Sequence, residues 1–550
     1  MKNKAAKFTK FILSAVLGLS VAACSKPASG NNGGSGSGSG GNEPAPTAET
    51  TAASLVITPS DKLSETSAVK DSVTIGYTAL WESLTPFRTN ANNKMLYSYT
   101  MYETLAKKTA EGEYIPWTAK SWTSHDDGVT FDVELFDNIT DSKGNNIKAE
   151  DVVAYLNESA SRGLKPCFTK IDKVEQTGDY TFTVTLKADV VGTWEKILTD
   201  TFVFSWKELE ESGDEFATKP VTTSAYVVTD YTPQSSLTME LRDDYWNKEA
   251  AAVNKSNVKK VTFMQIAEAS QAGIALEKGV VDAFIGVDAN TLKQFVDNDS
   301  FVIHKGLSSN GMQLYFSGIE DKIIQQDVHL RRAIAYVINS EAIIQAVYGG
   351  NASLMHDVNP EVNEGYQASW KDEEYFPYSV EKAKEELAQS SYKGEELLLA
   401  TTSAAATSRM AQMIQNNCLE AGINIKLNVL DNAAFSAQRF DGNNYDLIII
   451  SNGADSVTNF WSTRFDSTTY NLGDATSRQD SVLTDMIHEA STQAGYTTEN
   501  INAVRNYINE NMYGYGIAHP MTSDVFRADI GIKEFVETSF GIIDFVSSVY

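Results

Sequence analysis

The sequence predicts a mixed α/β fold arranged in two lobes. From Ser72 onward, strand-like and helix-like stretches alternate along the chain. The body from about Thr66 to Tyr550 exceeds the size at which a single hydrophobic core stops growing. The alternation also restarts at Gly311, as a second lobe requires. A hydrophobic content of 42% with 10% aromatic residues excludes a disordered chain for that body.

The N-terminus stands apart from this pattern. Lys2, Lys4, Lys7 and Lys10 precede the apolar run FILSAVLGLSVAA, which is too short for a stable transmembrane helix, so residues 1–23 read as a targeting segment. The Gly/Ser-rich and then Pro/Ala/Thr-rich stretch 24–65 has almost nothing to bury and reads as a disordered tether. Roughly 40 such residues reach about 35 Å as a random coil. No later segment offers a long enough apolar run to span a bilayer.

In the first half, SVTIGYT reads as a strand, NNKMLYSYTMYETLA as a helix and VTFDVEL as a strand. The turn Asp141-Ser142-Lys143-Gly144 leads to a helix from Ala149, with Glu150 and Asp151 in the first turn where the dipole favours acids. DYTFTVTLK and SLTMELR are strands flanking a helix-rich stretch around Trp194 and Trp206. In the second half GMQLYFSG is a strand, and HLRRAIAYVINSEAIIQAVYGG is one long helical region ending at a glycine pair. ELLLATTSAA is a strand leading into the helix SRMAQMIQNNCLEAGI, and INIKLNVLD and NYDLIIISN are further strands. The last is apolar on both faces, as a strand covered on both sides must be. No internal repeat of 20–50 residues is evident.

Charge and chemistry narrow the function. The formal net charge of −27 includes the lysines of residues 1–23, where there is no acid, so the remainder is more negative still. Nucleic acid is therefore not an expected partner. Beyond Cys24 there are only Cys167 and Cys418, expected as buried thiols, with pairing left open. His125, His304, His329, His356, His488 and His519 lack metal-ligand spacing, so no metal or other cofactor is expected. The chain has no HExxH, GxSxG or GxxxxGK[ST] motif and no Cys-His pair, so no enzyme activity is expected.

Several segments, in order, resemble one family. They are IGYTALWESLTPF, MYETLAKKTAEGEYIPWTAKSWTSHDDGVTFDVEL, ITDSKGNNIKAEDVVAYLN, RDDYWN, LEKGVVDA and LRRAIAYVINSEAIIQAVYGG. From about Asp71 to Tyr550 the chain is similar to the extracellular solute-binding proteins, family 5, of peptide- and nickel-type ABC importers. Val21-Ala22-Ala23-Cys24 likewise resembles the lipobox of bacterial lipoproteins, which implies a lipid anchor on Cys24 at the extracytoplasmic face of the cell membrane. The family resemblance implies a periplasmic-binding-protein-like fold of the large peptide-binding type, with mixed sheets and a hinge. Residues 66–307 plus 511–550 would form the N-terminal lobe and 308–510 the second. The chain would cross near 305–312 and return near 510–520. It implies a monomer that captures a peptide between the lobes and delivers it to ABC permease and ATPase subunits. A metal chelate, an oligosaccharide or a sensory role on the same fold are the alternatives.

The resemblance also points to residues. Asp455 lies nine residues after Asp446 of the Tyr-Asp strand, where peptide-binding members hold the ligand ammonium; capping the helix at Thr458–Trp461 is its other reading. Arg439 resembles an arginine that neutralises a peptide carboxylate, though the loop differs by one residue. Trp81 and Glu82 occupy the loop after the first strand, where members lay backbone against ligand. Phe460 and Trp461 are candidates for a side-chain pocket. Tyr226 keeps the tyrosine of the family's glycine-rich loop, while Thr222-Thr223-Ser224-Ala225 replace its glycines. Trp117, Trp122 and Trp246 read as framework.

Overall fold

Alternating apolar side chains and β-branched runs produce the strands where the sequence places them. A computed structural model describes residues 70–78, 80, 83–87, 92–108, 113–248, 258–468 and 480–532. Cys24, the 1–65 leader and tether, Trp81 and Glu82 lie outside these residues. Among the described residues the main sheet has twelve strands. On one side Ser72–Tyr77 runs parallel to Lys260–Gln265, which continues antiparallel through Ser236–Leu241 to Tyr226–Thr232. On the other, Asn310–Phe316 pairs antiparallel with Leu447–Gly453, and Leu447–Gly453 runs parallel to Leu397–Thr402, itself parallel to Ile425–Leu430. A four-stranded antiparallel sheet, Ala119–Ser124, Thr130–Leu135, Thr181–Leu186 and Ile171–Gln176, packs in the first half with the helix Ala149–Ser161.

One long strand, Gly514–Arg527, belongs to both halves of the main sheet. Residues 521–527 pair with Phe301–Leu307, and residues 514–518 pair with Asn310–Phe316. The chain passes from one half to the other at Ser308, whose N–H donates to Pro520 O at 2.9 Å and whose carbonyl lies 2.6 Å from His519 Nε2. Two connections therefore run side by side.

The apolar cores divide along the same line. One large cluster draws on residues from Val73 to Phe263, with Ala283, Val302, Phe526, Ile530 and Ile532 added. Two others draw only on residues between Met312 and Ala518. Leu447 and Ile449 enter one of these and Ile448 and Ile450 the other, so the strand that is apolar on both faces has a core on each. Each such side chain contributes about 1.5–3 kcal/mol by leaving water.

Two expected elements are interrupted. The helix foreseen across residues 92–106 ends at Met101, followed by the short strands Glu103–Thr104 and Ala106–Lys108. Burial of Glu103 explains the break. Its carboxylate accepts from Trp117 Nε1 at 3.1 Å, Trp246 Nε1 at 2.7 Å and the Tyr245 hydroxyl, so separate signature segments meet on one buried acid. The region 329–350 is likewise two helices, Val328–Tyr336 and Ser340–Tyr348. Asn339 accepts the Ala342 N–H at 2.9 Å and starts the second, which ends at Gly349 with a φ of 58°.

Candidate functional site

Asp455 lies just beyond the C-terminal end of Leu447–Gly453, in the bend before the helix Val457–Arg464. The approach is tight. A Cβ on Gly453 would stand 1.9 Å from the Ser309 carbonyl oxygen and 2.4 Å from Asn310 Oδ1, so only glycine lets this strand end sit against the first interlobe connection. The helix cap is Ser456, whose side chain accepts the Asn459 N–H at 3.2 Å. Asp455 is thus not the cap. Its Oδ1 accepts from Asn459 Nδ2 at 2.7 Å, its backbone oxygen accepts the Glu364 N–H at 2.8 Å, and its Oδ2 stands 3.7 Å from Lys196 Nζ.

Lys196 comes from the other lobe. It sits on the amphipathic helix Thr193–Asp200, which buries Trp194, Ile197 and Leu198 in the first-lobe core and leaves Glu195 and Lys196 on its opposite side. The Asp455 side chain keeps 26% exposure and Lys196 14%, so this ion pair is partly desolvated but open to solvent. A direct backbone bond reinforces the contact, Val191 N–H donating to Ser491 O at 2.9 Å. Behind the helix, Asp200 holds Lys165 Nζ at 3.2 Å and accepts the Tyr99 hydroxyl at 3.0 Å.

The electrostatics here are mixed in sign. Burial, then the charge of Glu364 across the gap, raises the Glu195 carboxyl above its usual value. Tyr114 is pushed up by burial and then by Glu364, Glu195, Asp455 and Asp200. The Cys167 thiol is raised by burial and then by Asp200, and Cys418 is pushed up to about 12 by burial. Both cysteines are free and buried. Among the described residues, no group of three or more His, Cys, Asp or Glu side chains could hold a metal ion.

The other candidates are placed differently. Phe460 and Trp461 are both 0% exposed and belong to a second-lobe core. Tyr226 is 2% exposed, and its hydroxyl donates to Val258 O at 2.5 Å; the preceding Thr222, Thr223 and Ser224 are buried too. That segment is core. Arg439 follows the helix Asn432–Gln438, its carbonyl accepts the Tyr445 hydroxyl at 3.1 Å, and its guanidinium lies 4.5 Å from the Phe440 ring centroid. The reading by sequence missed Lys196, Glu195, Glu364 and Tyr114. Only the amphipathic spacing of residues 193–200 hinted that one face of that helix was left for another surface.

Two α/β lobes joined by paired connections, with an ion pair across the gap, define a two-lobed binding protein. The chain belongs to the bacterial extracellular solute-binding proteins, family 5, whose profile for the middle region matches residues 113–472. Proteins of this family serve ABC importers. Among its relatives, the nickel-binding periplasmic protein of Escherichia coli is 25% identical over 375 residues, 64% of this chain and 70% of that protein. The glutathione-binding protein GsiB of Pectobacterium atrosepticum is 21% identical over 378 residues, 66% of this chain and 70% of that protein. The oligopeptide-binding protein AppA of Bacillus subtilis, solved with a nonapeptide, has the same fold. Its TM-score is 0.69 at 16% identity, covering 87% of this chain and 98% of that one.

Proposed function

We propose that this protein captures peptides between its lobes, residues 66–307 plus 511–550 and residues 308–510, and delivers them to an ABC permease. The observation that carries this reading is the Asp455 carboxylate. It is partly exposed, aimed across the gap, and already beside a primary ammonium group, that of Lys196. A ligand α-ammonium presents the same chemistry to the same oxygen atoms, in a space that lobe closure shields from water. The peptide bound by AppA and the glutathione, itself a tripeptide, named for one relative lend support; the nickel named for another keeps a non-peptide solute as the second reading. Use of the same closure for sensing requires no different site. Binding requires no bond to break, so the work done is a shift between open and closed lobes.

Material released from the purified protein by denaturation and read by mass spectrometry tests the ligand class. Short peptides are expected; a metal chelate or an oligosaccharide as the sole species contradicts the reading. We also propose that the mature chain is a monomer anchored by lipid on Cys24. Cys24→Ala should move the protein from the membrane fraction to the medium or periplasm, and unchanged membrane association would refute the anchor.

A further inference from the structure

The two interlobe connections meet at a His-Pro dipeptide, and the proline interrupts their ladder. Phe301–Leu307 pairs antiparallel with residues 521–527, and the register continues to Ser308 opposite Pro520. Ser308 N–H donates to Pro520 O at 2.9 Å. In such a pair the facing residue returns a second bond, but proline has no N–H to give. The His519 imidazole supplies the missing donor, its Nε2 standing 2.6 Å from the Ser308 carbonyl oxygen. A carbonyl only accepts, so Nε2 carries the proton and the neutral ring keeps a bare Nδ1.

The ring sits where charge is costly. His519 is 1% exposed, and its Nδ1 is buried without a hydrogen-bond partner. Ser353, paired with His519 across the strands, has a buried and unpartnered hydroxyl as well, so it closes no bond to Nδ1. A second proton would go to Nδ1, where it finds no acceptor.

Neighbouring charges do not offset this cost. The flanking strands Asn310–Phe316 and Ala352–Ser353 carry no Asp, Glu, His, Lys or Arg, and the Tyr315 phenol is their one titratable group. From the segment that follows, Glu361 and Lys371 act on His519 in opposite senses and pair with each other at 2.9 Å. The same segment carries His356 and also Asp357, which Arg505 holds at 3.1 Å. On Phe301–Leu307, Lys305 donates to Asn351 Oδ1 at 3.0 Å, and His304 stands 3.4 Å from Asp524 further along. Burial therefore decides, holding the His519 imidazole below the usual histidine value against the Ser308 bond and Glu361.

We infer that His519 is an acid-sensitive latch between the two connections: the neutral imidazole stands in for the N–H that Pro520 lacks, and protonation ejects it and loosens the joint. The latched state disfavours the cation, so the latch is complete above the ordinary histidine value of about 6.5 and is lost as pH falls through the lower value of the buried ring. It governs how firmly the connections are joined, not which surfaces the lobes bring together. It is independent of the ligand's identity.

Hydrogen–deuterium exchange of the full chain, read by mass spectrometry at about pH 7.5 and about pH 5 and corrected for the intrinsic exchange rate, tests the latch on both sides of the histidine range. The informative peptides cover residues 304–312 and 517–523, with Leu447–Gly453 and Thr181–Leu186 as references. On acidification the wild-type connections should lose about fivefold or more of their protection, the worth of one hydrogen bond, while the references keep theirs. His519→Gln brings an amide Nε2 to the same carbonyl and does not titrate, so its protection should be equal at both pH values. His519→Ala should be as weakly protected at the higher pH as wild type is at the lower. Adding Pro520→Ala should restore protection, because a backbone N–H then faces Ser308. The inference is overturned by pH-independent protection in wild type, by a fall that persists in His519→Gln, by an equal fall in the references, or by a double variant no better protected than His519→Ala. If the variants do not fold, wild type alone decides: the connections must lose protection with a midpoint below about 6.5, and loss without such a midpoint overturns the latch.

Discussion

Replacing Lys196 by methionine should strengthen the binding of a peptide with a free amine. Lys196 Nζ stands 3.7 Å from the Asp455 carboxylate, so it occupies part of the space that a ligand ammonium would share. At that separation two unit charges interact by about 1 kcal/mol in bulk water and about 4 kcal/mol at an effective dielectric constant of 20. The 26% and 14% exposures place this pair between those limits, and the solvent that reaches it discounts the larger figure. A net effect of about 1–2 kcal/mol follows, equivalent to about five- to thirtyfold in Kd. Calorimetry with trialanine and N-acetyl-trialanine on wild type and Lys196→Met isolates the effect, because the acetylated peptide carries no competing cation. The gain should be confined to the free amine and should vanish in an Asp455→Asn background. Equal changes for the two peptides, or weaker binding of trialanine by Lys196→Met, would refute the idea that lysine and ligand compete for one carboxylate.

Glu195 should make lobe contact depend on pH. Its carboxyl is raised by burial and then by Glu364 on the facing side, and separation of the lobes should remove the Glu364 part, so contact is expected to favour the protonated form. The stabilisation it contributes is complete below the ordinary glutamate value and is lost as pH rises through the raised one. Small-angle scattering of ligand-free protein should therefore show a smaller radius of gyration at mildly acidic pH than at pH 8, and Glu195→Gln should flatten the dependence. Gly453→Ala should destabilise the protein by about 1–3 kcal/mol in denaturant unfolding, because the new methyl meets the Ser309 carbonyl. The same shift should weaken trialanine binding, since Asp455 is two residues along; an unchanged unfolding midpoint would show that the strand end yields freely.

Much of this architecture was legible in the sequence because it is local. The run Leu447-Ile448-Ile449-Ile450 announces a strand with a core on each face, and successive residues do enter different cores. The glycine pair at Gly349 ends a helix as expected. What escaped notice depends on contacts distant along the chain. Nothing around Glu103 foretells that Trp117, Tyr245 and Trp246 converge on it, so helical propensity was followed past the point where tertiary hydrogen bonding ends the helix. At Asn339 the polar side chain claims a backbone N–H and splits a region whose apolar spacing reads as continuous.

The site was readable by halves. The family resemblance pointed to Asp455, but the choice between capping and facing the gap depended on Ser456, a better cap one residue later. Phe460 and Trp461 follow Asp455 closely in sequence, but proximity along the chain does not tell which way a helix face turns, and both side chains are buried. Lys196 could not be paired with Asp455 at all, because an interlobe contact leaves no local pattern.

The central claim is that Asp455 holds a peptide ammonium in the closed cleft, and calorimetry on four combinations tests it most directly: wild type and Asp455→Asn, each with trialanine and N-acetyl-trialanine. Truncating one partner of a desolvated charge pair costs roughly 2–5 kcal/mol, or roughly thirtyfold to several-thousandfold in Kd. The openness of this site favours the lower end. Each single change should weaken binding by at least that lower factor, and the two together should be clearly less than additive, because both remove one interaction. Trialanine bound by Asp455→Asn as tightly as by wild type, with the acetylated peptide no weaker, would contradict the account.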